Sequence, residues 1–216
     1  QALRAGITRL DAVLLTHAHA DHLHGLDDVR PLCREKPLPL YANDSTLEEM
    51  RERFSYIFKE TQLGGGKPRI MPLPARKPFR IGGLTISPVP VKHGDLDILG
   101  WKIGEGDETA GGEAPVRTAV YLTDTSGIPA ASLELVRRPD LLIIGSLRER
   151  PHATHFSFEE ALSAAAAMEA RRVYLTHLSH NHPHGEIEDF CRLFQRNRSL
   201  TDTPMAPAHD GLELDL

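Results

Sequence analysis

The sequence predicts an α/β fold in which layers of helices and buried strands pack together. Four near-continuous apolar runs of strand length end at polar residues, which is typical of strands buried on both faces. Helical patterns separate these runs, and such mixing of strands and helices along a chain is typical of α/β layers. The 216 residues are enough for one sizeable domain. The four apolar runs cover residues 11–17, 117–124, 140–146 and 171–177.

The helices are predicted from the residues that begin them. Ser45 and Glu48 have the spacing of a capping box, in which each side chain satisfies a backbone N–H of the first turn. Ser157 and Glu160 repeat that spacing before an alanine-rich segment. The other two helical patterns cover residues 128–138 and 185–197.

The remaining segments are predicted from composition. Residues 79–93 predict a hairpin bent at Gly82-Gly83 and then an extended segment, and residues 97–103 favour a further strand. Residues 63–78 are rich in glycine and proline, which predicts a loop. Residues 104–115 are acidic and glycine-rich, so we expect an exposed hairpin tip there.

The overall composition excludes several classes of protein. The net charge is −5, with acidic and basic residues mixed along the chain, which argues against a broad nucleic-acid or anionic-membrane surface. No apolar run approaches the roughly 20 residues that a membrane span needs. Only two cysteines are present, Cys33 and Cys191, too few for a disulfide framework. We therefore expect a cytoplasmic protein.

Three of the predicted strands end alike, with a threonine followed by a side chain that can bind metal. The endings are VLLTH, VYLTD and VYLTH, which supply His17, Asp124 and His177. In open α/β sheets, ligands bind at the carboxyl ends of strands. Neighbouring strands lie about 4.8 Å apart. We therefore expect these three side chains to lie near a common point.

The densest metal-binding pattern is the segment THAHADH, which contains His17, His19, Asp21 and His22. Residues i and i+2 project in the same sense from extended backbone. His17 and His19 are thus placed to hold one metal ion, while Asp21 and His22 face a second. Neutral imidazoles and carboxylates are the ligands that such divalent ions accept.

This His-x-His-x-Asp-His pattern, together with Gly25, resembles the signature of the metallo-β-lactamase fold hydrolases. The resemblance implies a four-layer αβ/βα sandwich with a dinuclear metal site at one edge. It also implies a single hydrolase domain over residues 1–216 that lacks the N-terminal strands of the fold in this chain. The start at Gln1, inside a segment that reads as the end of a helix, is consistent with that expectation.

Within the superfamily, the chain is most similar to the PhnP-type phosphoribosyl cyclic phosphodiesterases. The marks of that branch are the Thr-Asp-Thr-Ser-Gly turn at 123–127, the loop at 150–157 and the closing segment 209–214. These marks are weaker than the histidine signature, but together they extend the likeness over essentially the whole chain.

The resemblance implies a set of metal ligands and two divalent ions, Zn²⁺ or Mn²⁺. A water shared by two such ions has a lowered pKa, and the resulting hydroxide is the expected nucleophile. Asp124, as the bridge between the ions, is expected to be catalytic as well as a ligand. One ion is expected to be held by His17, His19 and His93, the other by Asp21, His22 and His177, with Asp124 shared.

A further catalytic residue is expected in the loop before the second capping box. His155 lies two residues before Ser157, and a helix N-terminus favours nearby phosphate. The PhnP-type branch has a catalytic histidine in this loop, so the resemblance implies that His155 is the general acid for the leaving oxygen. Arg148 and Arg150 are candidate substrate-binding residues, because a guanidinium can bind a phosphate through two hydrogen bonds.

The other histidines are expected outside the set of metal ligands. His24 follows the metal-binding segment on predicted helix, and Pro183 interrupts the cluster that follows His177. We expect these side chains at the rim of the site or in solvent. They are His24, His152, His180, His182, His184 and His209.

The predicted function is hydrolysis of a small cyclic or nucleotide-like phosphodiester, by attack of metal-bound hydroxide. The sequence leaves a homodimer open. Three alternatives remain: a thioesterase or lactonase of the same fold, a tRNase Z-like nuclease, and a metal-binding accessory protein without turnover. A phosphate-binding role for His155 and Arg148 would favour the phosphodiesterase over an acyl hydrolase.

Overall fold

The structure is a computed structural model that describes residues 2–60, 66–105 and 117–216. The chain divides into two compact units, Gln1–Ile81 and Gly82–Leu216, and each is described by itself. The predicted hairpin tip at 104–115 lies outside the described residues from 106 onward. Across the described ranges, none of the helices combines the length and apolar character that crossing a bilayer requires.

The first unit is built on a three-stranded parallel sheet in the order β1-β2-β3. Leucines and a methionine that are less than one-tenth exposed form its core beneath the sheet. The aromatic ring of Tyr41 stacks on that of Phe79, with ring centroids 3.9 Å apart. Its elements are β1 (Val13–Leu14), α1 (Ala20–Leu23), a 3₁₀ helix (His24–Cys33), β2 (Leu38–Ala42), α2 (Asp44–Arg53), α3 (Ser55–Phe58), β3 (Ile70–Pro74) and β4 (Phe79–Ile81).

Two sequence predictions for this unit are wrong. Helix α2 is capped by Asn43, whose side chain accepts a hydrogen bond from the backbone N–H of Thr46, so Ser45 and Glu48 do not form the capping box. Asparagine and serine cap helices about equally well, and here the asparagine, two residues earlier, has the extended backbone that a cap needs. Strand β3 lies in the segment predicted as a loop. Its prolines are tolerated because β3 pairs with β2 on one side only.

In its described residues, the second unit contains six strands in the order β10-β9-β8-β7-β6-β5, parallel from β10 to β7 and antiparallel from β7 to β5. Its buried core joins the sheet to the helices. The carboxyl ends of β7, β8 and β9 therefore lie along one edge. The elements are β5 (Leu84–His93), β6 (Leu96–Glu105), β7 (Thr118–Leu122), α4 (Ala130–Leu135), β8 (Leu141–Gly145), α5 (Phe158–Ala167), β9 (Val173–Thr176), α6 (His184–Asn197) and β10 (Met205–Pro207).

Most sequence predictions for this unit are confirmed. Strands lie in all three of the apolar runs that belong to this unit, as β1 does in the run of the first unit, and the capping box at the start of α5 is present. The Ser157 N–H donates to the Glu160 carboxylate at 2.8 Å, while the Ser157 side chain accepts from the Glu160 N–H. This cap fixes the point at which the loop at 150–157 becomes helix.

A two-residue turn between β5 and β6 positions the end of β5. Gly94 opens this turn with φ +59°, a left-handed conformation that favours glycine. A Cβ at this position would lie 2.8 Å from the Cγ2 atom of Thr154. The missing side chain therefore also lets the segment next to His155 approach the strand end that carries His93.

Candidate metal centre

The ends of β7 and β9 have an unusual backbone. Asp124 has φ 53° and His177 has φ 56°, and both lie two residues or fewer beyond a buried strand. Non-glycine residues rarely adopt this left-handed conformation, which costs of the order of 1–2 kcal/mol. Strain of this kind collects at functional sites, where the surrounding structure holds it. The two strand endings predicted from the sequence thus share one local geometry.

The strand between them, β8, ends in a glycine and a buried serine. A Cβ on Gly145 would lie 2.8 Å from the backbone nitrogen of Asp124, so only glycine allows this close approach. Ser146 follows, 1% exposed, and its backbone N–H donates to the carbonyl of Thr176. Within the described ranges, its hydroxyl has no hydrogen-bond partner.

Sequence reasoning missed Ser146 as a candidate. The pairing of β8 with its two neighbours places it between Asp124 and His177 along the sheet edge. Ser146 follows an apolar run, as Asp124 and His177 do, and this position could have marked it as a candidate. Serine is so common at the ends of strands, however, that the position alone does not single it out. A buried hydroxyl of this kind is usually satisfied by water or a ligand.

Asp124 is the centre of the polar contacts at this edge. Its carboxylate is almost fully buried, and its Oδ2 atom accepts a hydrogen bond of 2.7 Å from the Thr123 hydroxyl. Its Oδ1 atom lies 2.9 Å from His177 Nε2 and 3.5 Å from His155 Nδ1. One carboxylate oxygen is thus oriented by the protein, while the other faces two imidazoles.

His93, at the end of β5, is oriented through its outer nitrogen. Its Nδ1 atom lies 2.6 Å from the carbonyl oxygen of Thr154, so Nδ1 carries the proton and Nε2 carries the lone pair. This arrangement, in which a carbonyl fixes the tautomer, is typical of metal-binding histidines. Donor atoms of His93, Asp124 and His155 all lie within 4.8 Å of one another.

The first unit holds its own set of donors at the segment predicted from the sequence. His17 is buried, and its Nε2 atom lies 3.0 Å from His19 Nδ1. The Asp21 carboxylate lies 3.2 Å from His22 Nε2. The His17 and His22 rings are 4.3 Å apart between centroids.

A long-range contact fixes the backbone of this segment. The Arg53 guanidinium donates a hydrogen bond of 2.5 Å to the carbonyl oxygen of Ala18, the residue between the two histidines. The same guanidinium pairs with Glu49 one turn earlier on α2. Helix α2 therefore orients the histidine segment through a side chain that the sequence pattern did not single out.

The donors present in each unit fit divalent cations. Neutral imidazole nitrogens and carboxylate oxygens are the ligands of Zn²⁺ and of similar borderline ions. In the first unit the paired imidazoles and the Asp21–His22 pair provide such atoms, and in the second unit Asp124 provides them with its neighbouring histidines. In each unit, the side chains that could bind a metal ion already lie close together.

His155 lies in a loop that is held against the Asp124 turn. The backbone N–H of Phe156 donates to the carbonyl of Thr125 at 2.7 Å. The pKa of His155 is lowered to about 4, mainly by burial and also by the neighbouring imidazoles of His93 and His177, while the Asp124 charge opposes this shift. The imidazole is therefore neutral near pH 7, the form in which histidine accepts a proton or binds a metal.

The arginine candidates lie earlier on the same loop, between the end of β8 and His155. Arg148 and Arg150 line a cavity of about 310 Å³ together with Glu149, Asn181 and His182. His152 lies between these arginines and His155, with its ring 5.2 Å from that of His155.

The other histidines lie outside the two groups of metal donors described above. The His182 and His184 rings face glutamates one turn later, at 3.4 and 3.5 Å. The His184 ring is 6.2 Å from that of His209, and the His24 ring is 6.2 Å from that of Phe54. Among the residues that the structure describes, none of these joins a cluster of three metal donors, and neither does His180.

Comparison with known proteins assigns the chain to a family. Residues 1–178 match the model of the β-lactamase superfamily domain, so the chain belongs to that superfamily. The metallo-β-lactamase fold predicted from the histidine signature is confirmed. A solved structure of a diphosphatase from the PhnP family is 36% identical, with a TM-score of 0.76, and the match covers 100% of this chain and 75% of that one. The predicted resemblance to the PhnP family is thereby confirmed.

Two curated relatives are named for two different activities. An octanoyltransferase from Porphyromonas gingivalis is 35% identical over 99% of this chain, which spans 39% of that protein. The exodeoxyribonuclease WalJ from Streptococcus pneumoniae is 26% identical over 79% of this chain, and the match covers 64% of that protein. The chain thus spans less than two thirds of the length of each. The predicted enzyme class, metal-dependent hydrolase, is confirmed at the level of the family and its structural neighbours.

Proposed function

We propose that the protein is a dinuclear metal-dependent phosphodiesterase that hydrolyses a small cyclic or nucleotide-like phosphodiester. The observation that carries this proposal is the buried Asp124 carboxylate, which faces both His177 and His155. The identity of 36% to a PhnP-family diphosphatase supports a phosphorus-containing substrate over an acyl ester.

The proposed metal ligands are those that the family signature implies. The arrangement of donors inside each unit supports the assignment, because each set brings imidazoles and a carboxylate together. Two divalent ions, Zn²⁺ or Mn²⁺, would supply positive charge and an activated water when bound. The proposed ligands are His17, His19 and His93 for one ion, Asp21, His22 and His177 for the other, and Asp124 for both.

The side chains of the second unit have separate tasks in the proposed reaction. Asp124 is held by the Thr123 hydroxyl, which directs its other oxygen towards the histidines. His93 is fixed by the Thr154 carbonyl, so its Nε2 faces away from that loop. Both groups are preorganised, which lets them act without rearrangement during the reaction.

His155 is the proposed donor of a proton to the leaving oxygen. With its pKa near 4, it is neutral before substrate arrives. A phosphodiester anion next to the ring would raise that pKa, as the Asp124 charge already does, because negative charge stabilises the imidazolium. Arg148 and Arg150 are the proposed substrate-binding residues on the same loop.

An activity screen with matched variants tests this function. The metal-loaded protein should hydrolyse bis(p-nitrophenyl) phosphate and a cyclic ribose phosphate, and Asp124→Asn should lose metal content and turnover together. Asparagine tolerates the left-handed backbone, so this variant should fold. Elemental analysis and initial rates are the measurements. Turnover of a thioester or lactone in place of both phosphodiesters would contradict the proposal.

A second candidate function is hydrolysis of a diphosphate. The 36% identical relative from the PhnP family is a diphosphatase, which favours this candidate. A nucleic-acid substrate, suggested by the exodeoxyribonuclease relative, is less compatible with the net charge of −5. Rates on a dinucleoside diphosphate, compared with those on a cyclic ribose phosphate, separate the two phosphorus substrates.

A further inference from the structure

Two buried hydroxyl groups beside the proposed metal centre have no hydrogen-bond partner within residues 2–60, 66–105 and 117–216. They belong to Ser146, directly after β8, and to Ser179, shortly after β9. Ser146 is 1% exposed, and the Ser179 hydroxyl oxygen is also buried. Buried hydroxyls in folded proteins are nearly always hydrogen-bonded, to protein or to ordered water. Each of these two therefore indicates a partner other than the protein itself.

The two serines lie on neighbouring segments that backbone hydrogen bonds hold together. The Ser146 N–H donates to the carbonyl of Thr176 at 2.9 Å, which sets Ser146 beside His177 in the parallel register of β8 and β9. In the opposite direction, the Ser179 N–H donates to the carbonyl of Leu147 at 2.8 Å. Each serine is thus bonded to the segment that carries the other, and His177 lies in sequence between the two bonds.

The turn that these bonds enclose carries strain. His177 has φ 56°, a conformation that a residue with a side chain keeps only where the surrounding structure holds it. Its Nε2 atom lies 2.9 Å from Oδ1 of Asp124. Relaxation of the turn would move the imidazole away from this carboxylate. Further hydrogen bonds across the turn would resist that movement.

A water molecule is the partner that suits both hydroxyls. Alternation along β8 places Ser146 on the same face as Leu142 and Ile144, which are fully buried in the apolar core. A metal ion or a charged group of a substrate is disfavoured at the boundary of such a core. A buried water makes about three hydrogen bonds, enough for both hydroxyls and one backbone carbonyl.

We propose that Ser146 and Ser179 are positioning residues of the metal centre and together hold one buried water, which fixes the turn that carries His177. The inference rests on the metal centre of the proposed function and adds two residues that bind no ion themselves. Removal of a group that orients a metal ligand from behind typically lowers metal affinity about 10–100-fold. The serines act on the ion through His177, so their effect is measured in metal binding.

A double-mutant cycle on Zn²⁺ affinity tests the shared water without turnover. Competition with a chelating dye should show that Ser146→Ala and Ser179→Ala each weaken Zn²⁺ binding roughly tenfold. The double variant should lose no more than either single variant, because the first substitution already releases the water. Ser179→Thr keeps the hydroxyl and should retain the wild-type affinity. The visible absorption spectrum of the Co²⁺-substituted protein should change in Ser146→Ala, since it reports the geometry of the ligands.

A matched control comes from a buried serine elsewhere in the same unit. Ser132, in α4, is 4% exposed, and its hydroxyl donates a hydrogen bond of 2.5 Å to the carbonyl of Pro90. Ser132→Ala should lower the Tm but leave the Zn²⁺ affinity and the Co²⁺ spectrum unchanged. General loss of stability is thereby separated from an effect on the metal centre.

Two results would overturn the shared water. The first is a wild-type Zn²⁺ affinity in Ser146→Ala, which would leave its hydroxyl without a role at the metal centre. The second is a double variant in which the two losses multiply to roughly 100-fold, since independent hydroxyls behave in this way. Failure of the proposed phosphodiesterase is seen separately, as wild-type protein that binds Zn²⁺ but does not hydrolyse bis(p-nitrophenyl) phosphate.

Discussion

Asp124 illustrates what a single residue contributes to the proposed chemistry. Its type and its place at a strand end could be predicted from the sequence, because VYLTD repeats the pattern of VLLTH and VYLTH. Its left-handed backbone and the hydrogen bond from Thr123 could not, since both belong to a turn that packs closely against Gly145 of the neighbouring strand. The assignment of Asp124 as a shared metal ligand stays a prediction.

The role of His155 can be separated from metal binding by substitution. We expect His155→Ala to lower kcat on a cyclic ribose phosphate roughly 10²–10⁴-fold, the range typical of general acid catalysis. The loss should be smaller on bis(p-nitrophenyl) phosphate, whose leaving group needs less help from an acid. Metal content, measured by elemental analysis, should stay at the wild-type level.

His152→Ala serves as the control, because His152 lies in the same loop and its ring is near that of His155. It should change kcat far less. If His155→Ala instead removed metal, His155 would act as a ligand with His93 and Asp124, a role that their spacing also permits.

The low pKa of His155 predicts a specific dependence of stability on pH. The folded-state pKa is about 4, below the ordinary value of 6.5, so between these values the unfolded chain binds more protons. Stability of the chelator-treated protein should therefore fall as the pH drops from 6.5 towards 4, by at most about 1.4 kcal/mol per pH unit from this group. Urea midpoints at pH 7, 6 and 5 measure it, and His155→Gln should flatten the slope.

At the scale of single elements, the strands and helices with strong local signals were predictable. The Ser157–Glu160 capping box and the strands β7 to β9 follow from residues adjacent in sequence. Strand β3 was not predicted because it is stabilised by pairing with β2, a contact between segments distant in sequence. Its prolines instead favoured the prediction of a loop. The contact of Arg53 with Ala18 was missed for the same reason, since it spans 35 residues.

The backbone of the turn between β5 and β6 is expected to affect the position of His93, and a substitution at Gly94 tests this. Gly94→Ala should lower stability by about 1–2 kcal/mol, because alanine is strained at positive φ. It should also lower kcat, since the new Cβ would displace Thr154, whose carbonyl orients His93. Thermal unfolding and initial rates are the measurements.

Gly82→Ala is the matched control for this variant. Gly82 has φ +57°, close to that of Gly94, but no atom lies within 4 Å of a Cβ built there. Gly82→Ala should lose stability through backbone strain alone, Gly94→Ala should lose at least as much, and only Gly94→Ala should lose activity. Equal activities would show that the Thr154 contact does not matter for the site.

At the scale of the whole molecule, the superfamily and fold were predictable because short-range motifs occur in a fixed order along the chain, from the His-x-His-x-Asp-His segment to the closing segment 209–214. The natural substrate was not, since the residues that would contact it lie on loops whose arrangement in space no motif encodes. A cytoplasmic location, a homodimer and a single domain over residues 1–216 stay predictions. So does the choice between Zn²⁺ and Mn²⁺.

Removal of the metal ions should affect the stability of the entire protein. A ligand at 100 times its dissociation constant stabilises the folded state by about 2.7 kcal/mol, because it binds that state alone. We therefore expect a chelator to lower the Tm, and Zn²⁺ or Mn²⁺ to restore it. Differential scanning fluorimetry measures the shift. Asp124→Asn should show little response to the chelator, and an unchanged wild-type Tm would argue against bound ions.

The left-handed backbone at Asp124 and His177 has a consequence for how the protein can evolve. Glycine would relieve the strain at both positions, so selection for folding alone would favour losing these two side chains. Selection for catalysis would keep them. Stability and activity therefore oppose each other at these two strand ends, and a lineage that gave up the reaction should become more stable there as its site decays.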